Sequence, residues 1–300
     1  MANTIGWGQA AVNNTIDWGK GKTNNTIGWG TIYSSSPYGD TDLIGTPAGD
    51  ADALAFITAA AITDATQKRA IETLVVDLKG YGIWTKMKAL YPFVGGTASQ
   101  HKFNLKNPLD TDAAFRLVFY GGVTHSANGV KGNAVNGYYQ TFINPSIVFS
   151  PASGGSEFIY SRDDLDTGVD LGAFAFLPSL SRFYFTSRLG FNQTEFACLS
   201  NGVATPSNLN SKGFFGITRE PNAPNYYAIL NTNSISTTDA YQEPNSNITG
   251  LGLIADTGQA LSWSSRQQAM SCVADGLTPA EAQNLRLANL AFQTTLSRNV

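Results

Sequence analysis

Phe183-Tyr184-Phe185-Thr186-Ser187, inside the run Arg182 to Arg188, is dense in aromatic and β-branched residues, and Tyr226-Tyr227-Ala228-Ile229-Leu230 repeats that character. Runs of this kind, bounded by Gly, Pro, Asn and Ser, read as β-strands. Outward from these two the pattern continues: Met87 to Val94, Phe115 to Tyr120, Phe142 to Phe149, Glu157 to Tyr160, Ala173 to Leu177, Glu195 to Leu199, Phe214 to Arg219, Ile248 to Ile254 and Ala260 to Trp263. Eleven candidate strands at this spacing predict an antiparallel sandwich.

Two helices frame it. Asp64 is a candidate N-cap for a helix carrying Ile71, Leu74, Val75 and Leu78 on one face, ending at Lys79 with Gly80 just past its end. Near the C-terminus, Thr278-Pro279-Ala280-Glu281 is a capping box with Pro at the first helical position. Leu285, Ala288, Phe292 and Leu296 then form an apolar stripe on a helix from about Pro279 to Ser297.

At the other end, three units repeat every 11 residues: Asn3-Thr4-Ile5-Gly6-Trp7-Gly8, Asn14-Thr15-Ile16-Asp17-Trp18-Gly19 and Asn25-Thr26-Ile27-Gly28-Trp29-Gly30. Their Gly and Asn content disfavours helix. In an extended chain Ile and Trp two residues apart share a face, and so short a unit cannot bury that face by itself. The face can be covered by the chain's own domain or by another protein; the expectation is the second, an arm that docks through Ile5, Trp7, Ile16, Trp18, Ile27 and Trp29. Residues 1–33 are this arm, 34–55 a turn-rich linker, and 56–300 a helix plus sandwich domain with the C-terminal helix.

Composition narrows the chemistry. The 300 residues carry 19 Lys and Arg against 22 Asp and Glu, a net charge of −3, which excludes a basic, phosphate-tracking surface. Charged residues are only 14% of the chain, while 42% hydrophobic and 11% aromatic content suffices for a sizeable core. With two histidines, His101 and His125, a His-rich metal site is not expected. Cys198 and Cys272 read as buried thiols. No secretory signal opens the chain, and its most apolar segment, Ala53 to Ile62, is too short for a membrane span.

Four kinds of chemistry have candidate residues in the sequence. Asp163, Asp164, Asp166 and Asp170 in the segment 161–170 offer oxygen ligands for calcium, but without the regular ligand order, so a solvated turn is the expectation. Glu157 and Glu195 lie on or beside predicted strands, yet no carboxylate pair at alternate strand positions supports glycoside hydrolysis. His101 and His125 lack the surroundings of a nucleophile elbow, and Gly21-Lys22-Thr23 lacks the leading glycine of a phosphate loop. The chain is therefore expected not to be an enzyme, with no catalytic residues, no metal and no cofactor. Tyr138-Tyr139, Tyr226-Tyr227 and Tyr241, set among Asn, Gln and Gly, are the aromatics able to stack on sugar rings, although core packing and cross-strand pairing explain them equally well.

Longer stretches carry a resemblance. Thr58 to Asp64 through Leu78-Lys79, Trp84-Thr85-Lys86-Met87-Lys88-Ala89-Leu90-Tyr91-Pro92-Phe93-Val94-Gly95-Gly96-Thr97, Lys102 to Pro108, Phe115-Arg116-Leu117, Thr124-His125-Ser126 and Ala291 to Arg298, with the three N-terminal units, resemble virion structural proteins of tailed bacteriophages, most of all those of crAss-like phages. The resemblance implies a concanavalin A or laminin-G-like jelly roll. It further implies a tail fibre or tail-hub-associated appendage in the virion tail, made in the host bacterial cytoplasm. Implied partners are other virion proteins (tail hub, portal-ring or vertex proteins) and a cell-surface glycan, in a homo-oligomer, with neither nucleic acid nor membrane insertion. The alternatives are a glycan-binding adhesin, a head fibre and a capsule-depolymerising glycosidase.

Overall fold

The computed structural model describes residues 49–190 and 192–300. The arm 1–33, with Ile5, Trp7, Ile16, Trp18, Ile27 and Trp29, lies outside the described residues, as does most of the linker. Asp50 accepts hydrogen bonds from the N–H groups of Asp52 and Ala53 and caps α1 (Ala51–Ala59). Residues 51–55 thus begin a helix where the sequence reading ended a linker, and two helices, not one, precede the strands. The second, α2 (Ala65–Gly80), is capped by Asp64 as expected. Gly80 belongs to the helix, and the left-handed position falls at Gly82, with φ of 72°.

The chain then runs through β1 (Met87–Tyr91), the short α3 (Ala98–His101), β2 (Val118–Tyr120), β3 (Thr124–Ser126), β4 (Gly129–Lys131) and β5 (Tyr138–Gln140). The predicted strand at 142–149 is instead a helical turn, α4 (Pro145–Val148). Proline has no N–H to give a ladder, and Asn144 caps the turn by accepting from the Ser146 N–H. Next come β6 (Gly155–Ser161), β7 (Leu171–Ala175), β8 (Ser181–Leu189), β9 (Gln193–Ser200), β10 (Gly213–Arg219), β11 (Asn225–Leu230) and β12 (Asn233–Thr238). Finally β13 (Thr249–Gly250), β14 (Gly252–Ile254), β15 (Ala260–Trp263) and β16 (Gln267–Ala274) lead into α5 (Pro279–Thr295).

These strands make two principal sheets, and every ladder between them is antiparallel, so the chain is mainly β, as its sequence predicted. The larger sheet has eight strands in the order β12-β11-β10-β6-β16-β4-β3, with β1 also on β16; the smaller has six, in the order β2-β5-β13-β7-β8-β9. One core lies between them. Ile159, Phe215, Ile217, Ala228 and Val273 from the larger sheet meet Tyr139, Leu171, Ala173, Phe183, Phe185 and Phe196 from the smaller.

Strand alternation sends the neighbours of those residues to the outer face of the larger sheet, where Leu90, Phe158, Phe214 and Cys272 are nonetheless buried. Phe158 stacks on Phe214 at 5.2 Å. The cover is helical: α5 packs over β10 and β11, and α2 packs on α5. The capping box of α5 is formed as predicted, with Thr278 and Glu281 satisfying each other's N–H groups. On the outer face of the smaller sheet, the β14–β15 hairpin covers Phe174 and Tyr184 with Leu253 and Ala255. No helix among the described residues is long and apolar enough to cross a membrane.

Candidate functional site

The two glutamates weighed for glycoside hydrolysis do not face each other. Glu157 pairs with Ile217 and Val273, both core residues, and so points between the sheets, where it is fully buried. Neither of its carboxyl oxygens has a hydrogen-bond partner, and burial pushes its pKa well above the ordinary 4.5. Glu195 precedes inward-facing Phe196 on β9 and points out of the other sheet, where it accepts a hydrogen bond from the Tyr184 hydroxyl. A whole sheet separates the two carboxyls.

Three of the four carboxylates in the acidic segment are held by ion pairs, while Asp164 and Asp166 are exposed as a solvated turn predicts. Asp163 pairs with Lys131 at 2.8 Å and Asp164 with Arg188 at 2.7 Å. Asp170 makes a wholly buried ion pair with Arg266 at 2.6 Å. Around that pair Arg266 also donates to the carbonyls of Leu165, Thr167, Gly168 and Arg188, so its charge and its donors clasp the loop to β16. Among the described residues no group of three or more His, Cys, Asp or Glu is placed to hold a metal ion.

The histidines form a pair. The Gly96 N–H donates to His101 Nε2 at 3.2 Å, which leaves the His101 proton on Nδ1, 3.0 Å from His125 Nδ1. Phe93 and Phe119 pack their edges or faces on the two rings. Burial, the neighbouring imidazole and the Arg298 charge hold the His101 pKa down to about 3, and burial lowers that of His125. Both rings are neutral at pH 7 and serve packing. Cys198 and Cys272 are free, buried thiols; burial raises the pKa of each, which removes thiolate reactivity.

The tyrosines divide. Tyr139 and Tyr226 are core residues at 0% and 1% exposure, so for these two the core-packing alternative holds. Tyr139 donates to Gln268 Oε1 at 2.7 Å. Tyr138, one residue earlier, faces the opposite way and stacks on Tyr120, with ring centroids 4.7 Å apart and planes within 12°. Trp263 closes this cluster, 5.9 Å from Tyr138. Tyr120 is 38% exposed and the other two rings are half-buried.

Local chemistry fixes this aromatic face. The cross-strand register Tyr120↔Tyr138 brings the rings together. Gly252 lies under the indole: a Cβ there would approach the Trp263 ring to 2.7 Å, so only glycine allows the contact. Beside the rings, Asn133 Oδ1 accepts from the N–H groups of Val135, Asn136 and Gly137, while its amide donates to Asn136 Oδ1 at 2.9 Å. A rigid, partly exposed aromatic surface beside an asparagine-built loop suits a ligand with both apolar faces and hydroxyls. Sequence reasoning found Tyr138 but missed Tyr120 and Trp263. Both end predicted strands, and only the pairing register unites them.

No protein-family model and no curated protein sequence matches the chain. Solved structures do. A mutant Trypanosoma rangeli sialidase displaying trans-sialidase activity superposes with a TM-score of 0.50 at 10% identity, over 75% of this chain and 39% of that one. T. rangeli sialidase in complex with sialic acid gives 0.46 at 9% identity, over 67% and 32%. Domain 4 of the GH43 extracellular arabinanase AbnA from Geobacillus stearothermophilus, in complex with arabinotriose, gives 0.43 at 11% identity, over 67% and 98%. The likeness is one of fold, and the chain spans well under half the length of the sialidases it matches.

This comparison corrects one expectation. The lack of a local carboxylate pair predicts a non-enzyme, yet the structure of like fold is that of a sialidase mutant displaying trans-sialidase activity. The fold therefore gives no ground for setting enzymes aside.

Proposed function

We propose that this chain is a virion structural protein of a tailed bacteriophage, a tail-fibre or tail-hub-associated appendage whose sandwich holds a carbohydrate on the Tyr120–Tyr138–Trp263 face. The attachment half of this reading is supported by the three Asn-Thr-Ile-x-Trp-Gly units and the resemblance they carry. The binding half rests on one observation, the stacked Tyr120–Tyr138 pair, with Tyr120 exposed and half-buried Trp263 beside it. Aromatic rings partly open to solvent on a sheet present a surface for the apolar faces of pyranose rings.

Two measurements test the halves separately. The full-length protein is screened on a glycan array, and the best ligand is titrated against wild type, Tyr120→Ala and Trp263→Ala; each variant is expected to bind about tenfold more weakly with an unchanged melting midpoint. Ligand binding indifferent to both variants removes the aromatic face from the reading. In parallel, phage carrying Trp7→Ala, Trp18→Ala and Trp29→Ala together are expected to lack the protein in purified particles. Normal incorporation of that variant overturns the docking arm. Reducing ends released from bound glycan are measured in the same samples.

A further inference from the structure

The loop from β4 to β5, Gly132-Asn133-Ala134-Val135-Asn136-Gly137, carries two asparagines and no charge. It borders the aromatic face on every side that the chain offers. Asn136 precedes Tyr138 by two residues, and the Ala134 N–H donates at 3.3 Å to the carbonyl of Ser264, the residue after Trp263. On the side of Tyr120, the next two residues are glycines. A Cβ on Gly121 would collide with the Asn136 carbonyl oxygen, and one on Gly122 with the Asn133 amide nitrogen. Gly121 is also held in the left-handed region, with φ of 60°.

This packing fixes which way the Asn136 amide points. A backbone N–H can only donate, so the atom of Asn136 that faces the Gly122 N–H at 3.1 Å is its oxygen. Asn133 sets the same orientation independently. Its Oδ1 accepts three backbone N–H groups, so the atom it turns to Asn136 Oδ1 is its nitrogen. Asn136 Nδ2 therefore faces away from both. Asn136 is exposed, and no hydrogen bond to a described residue occupies that nitrogen.

The loop thus offers donors beside the rings while its side-chain acceptors are spent, with two bonds into Asn136 Oδ1 and three into Asn133 Oδ1. The tyrosine hydroxyls give and accept alike, so they do not discriminate. A sugar hydroxyl can accept from Asn136 but brings a hydrogen of its own that this loop does not use. A carbonyl oxygen accepts only, and matches. A carboxylate also accepts, but Lys131, the cation that leads into the loop, is held by Asp163 at 2.8 Å. Val135, next to the amide and 66% exposed, adds an apolar side chain at the loop tip. A neutral carbonyl carrying a methyl group suits both neighbours, and on a sugar that group is an acetamide.

We propose that the aromatic face selects an N-acetylated amino sugar, with Asn136 Nδ2 donating to the acetamido carbonyl oxygen. This rests on the carbohydrate reading above and adds the residue that chooses among sugars. The probes are N,N′-diacetylchitobiose and cellobiose, which share rings and linkage and differ by acetamide against hydroxyl. Both are titrated calorimetrically into full-length wild type, Asn136→Asp and Tyr120→Ala. Asn136→Asp keeps the shape and the oxygen that Gly122 and Asn133 bind, and replaces the donor by an acceptor. Wild type is expected to prefer diacetylchitobiose about tenfold, and Asn136→Asp to lose that preference through an affinity for diacetylchitobiose about tenfold lower. Tyr120→Ala is expected to weaken both sugars alike and leave the preference in place.

Equal wild-type affinity for the two sugars, a preference that survives Asn136→Asp, or no binding of diacetylchitobiose by folded protein each overturns the proposal. The reading of the aromatic face is judged apart from it. Sugars bound without preference but lost in Tyr120→Ala keep the face and remove the role of Asn136. A preference abolished by Asn136→Asp, with both affinities untouched by Tyr120→Ala, keeps Asn136 and removes the rings. Should Asn136→Asp fail to fold, the Nδ2 proton resonances of Asn136 in wild-type protein replace it. They must shift with diacetylchitobiose and not with cellobiose; equal shifts overturn the proposal.

Discussion

Glu157 occupies a position where every neighbour across the two ladders is apolar, and its carboxyl survives there by keeping its proton. In the unfolded chain the same group ionises above its ordinary 4.5. The folded form therefore binds one proton more than the unfolded form between that value and the raised one, so stability is full below 4.5 and declines as pH rises. Replacing Glu157 by Leu removes an unsatisfied polar group and this proton linkage together. Chemical denaturation at pH 7.5 is expected to show Glu157→Leu more stable than wild type by about 1–3 kcal/mol, with the gain shrinking as the pH is lowered to 4.5. A variant less stable than wild type at every pH would mean that the carboxyl has an undetected acceptor.

The loop between β6 and β7 shows at element scale how sequence and structure part company. Four aspartates within eight residues look like a hydrated or ion-binding turn because composition alone cannot say which cations arrive from elsewhere. Lys131, Arg188 and Arg266 come from β4, β8 and the approach to β16, each far away in sequence. Asp170→Asn keeps the shape but leaves Arg266 charged and unpaired in the interior, a change expected to cost about 3–5 kcal/mol in urea unfolding. Calcium or a chelator is expected to leave the melting midpoint where it was; a rise on adding calcium would restore the ion-binding reading. Local signals were legible wherever a few consecutive residues decide the outcome: the Thr278–Glu281 box, the Asp64 cap, the aromatic runs of β8, β10 and β11. Burial of Tyr139 beside half-exposed Tyr138, and the meeting of Tyr120 with Trp263, depend on register between distant strands, which no local pattern encodes. The same holds for Asn136, whose amide is turned outward by a contact with Gly122, 14 residues earlier.

Across the whole molecule the buried titrating groups work against one another. The His101 imidazole, ordinarily near 6.5, is held down to about 3, so the unfolded chain takes up its proton first as pH falls, and stability is lost from about 6.5 downward. Asp50, Asp110, Asp164 and Glu281, all held below their ordinary values by cations or N–H groups, steepen this acid limb. Glu157 supplies the opposite slope above 4.5. The melting midpoint is thus expected to peak in mildly acidic buffer, between about pH 4.5 and 6.5. Glu157→Leu should flatten the alkaline side and His101→Gln the acid side; a profile rising steadily through pH 8 contradicts the assignment. The placement of β16 has a further consequence. It is the last strand of the described chain, yet it joins β6 to β1 and β4 within the larger sheet. On the ribosome, nascent β1 and β6 must therefore wait, edges open, for more than a hundred later residues to emerge, so this domain is a natural client for chaperones that shield unfinished polypeptide until synthesis has passed that point.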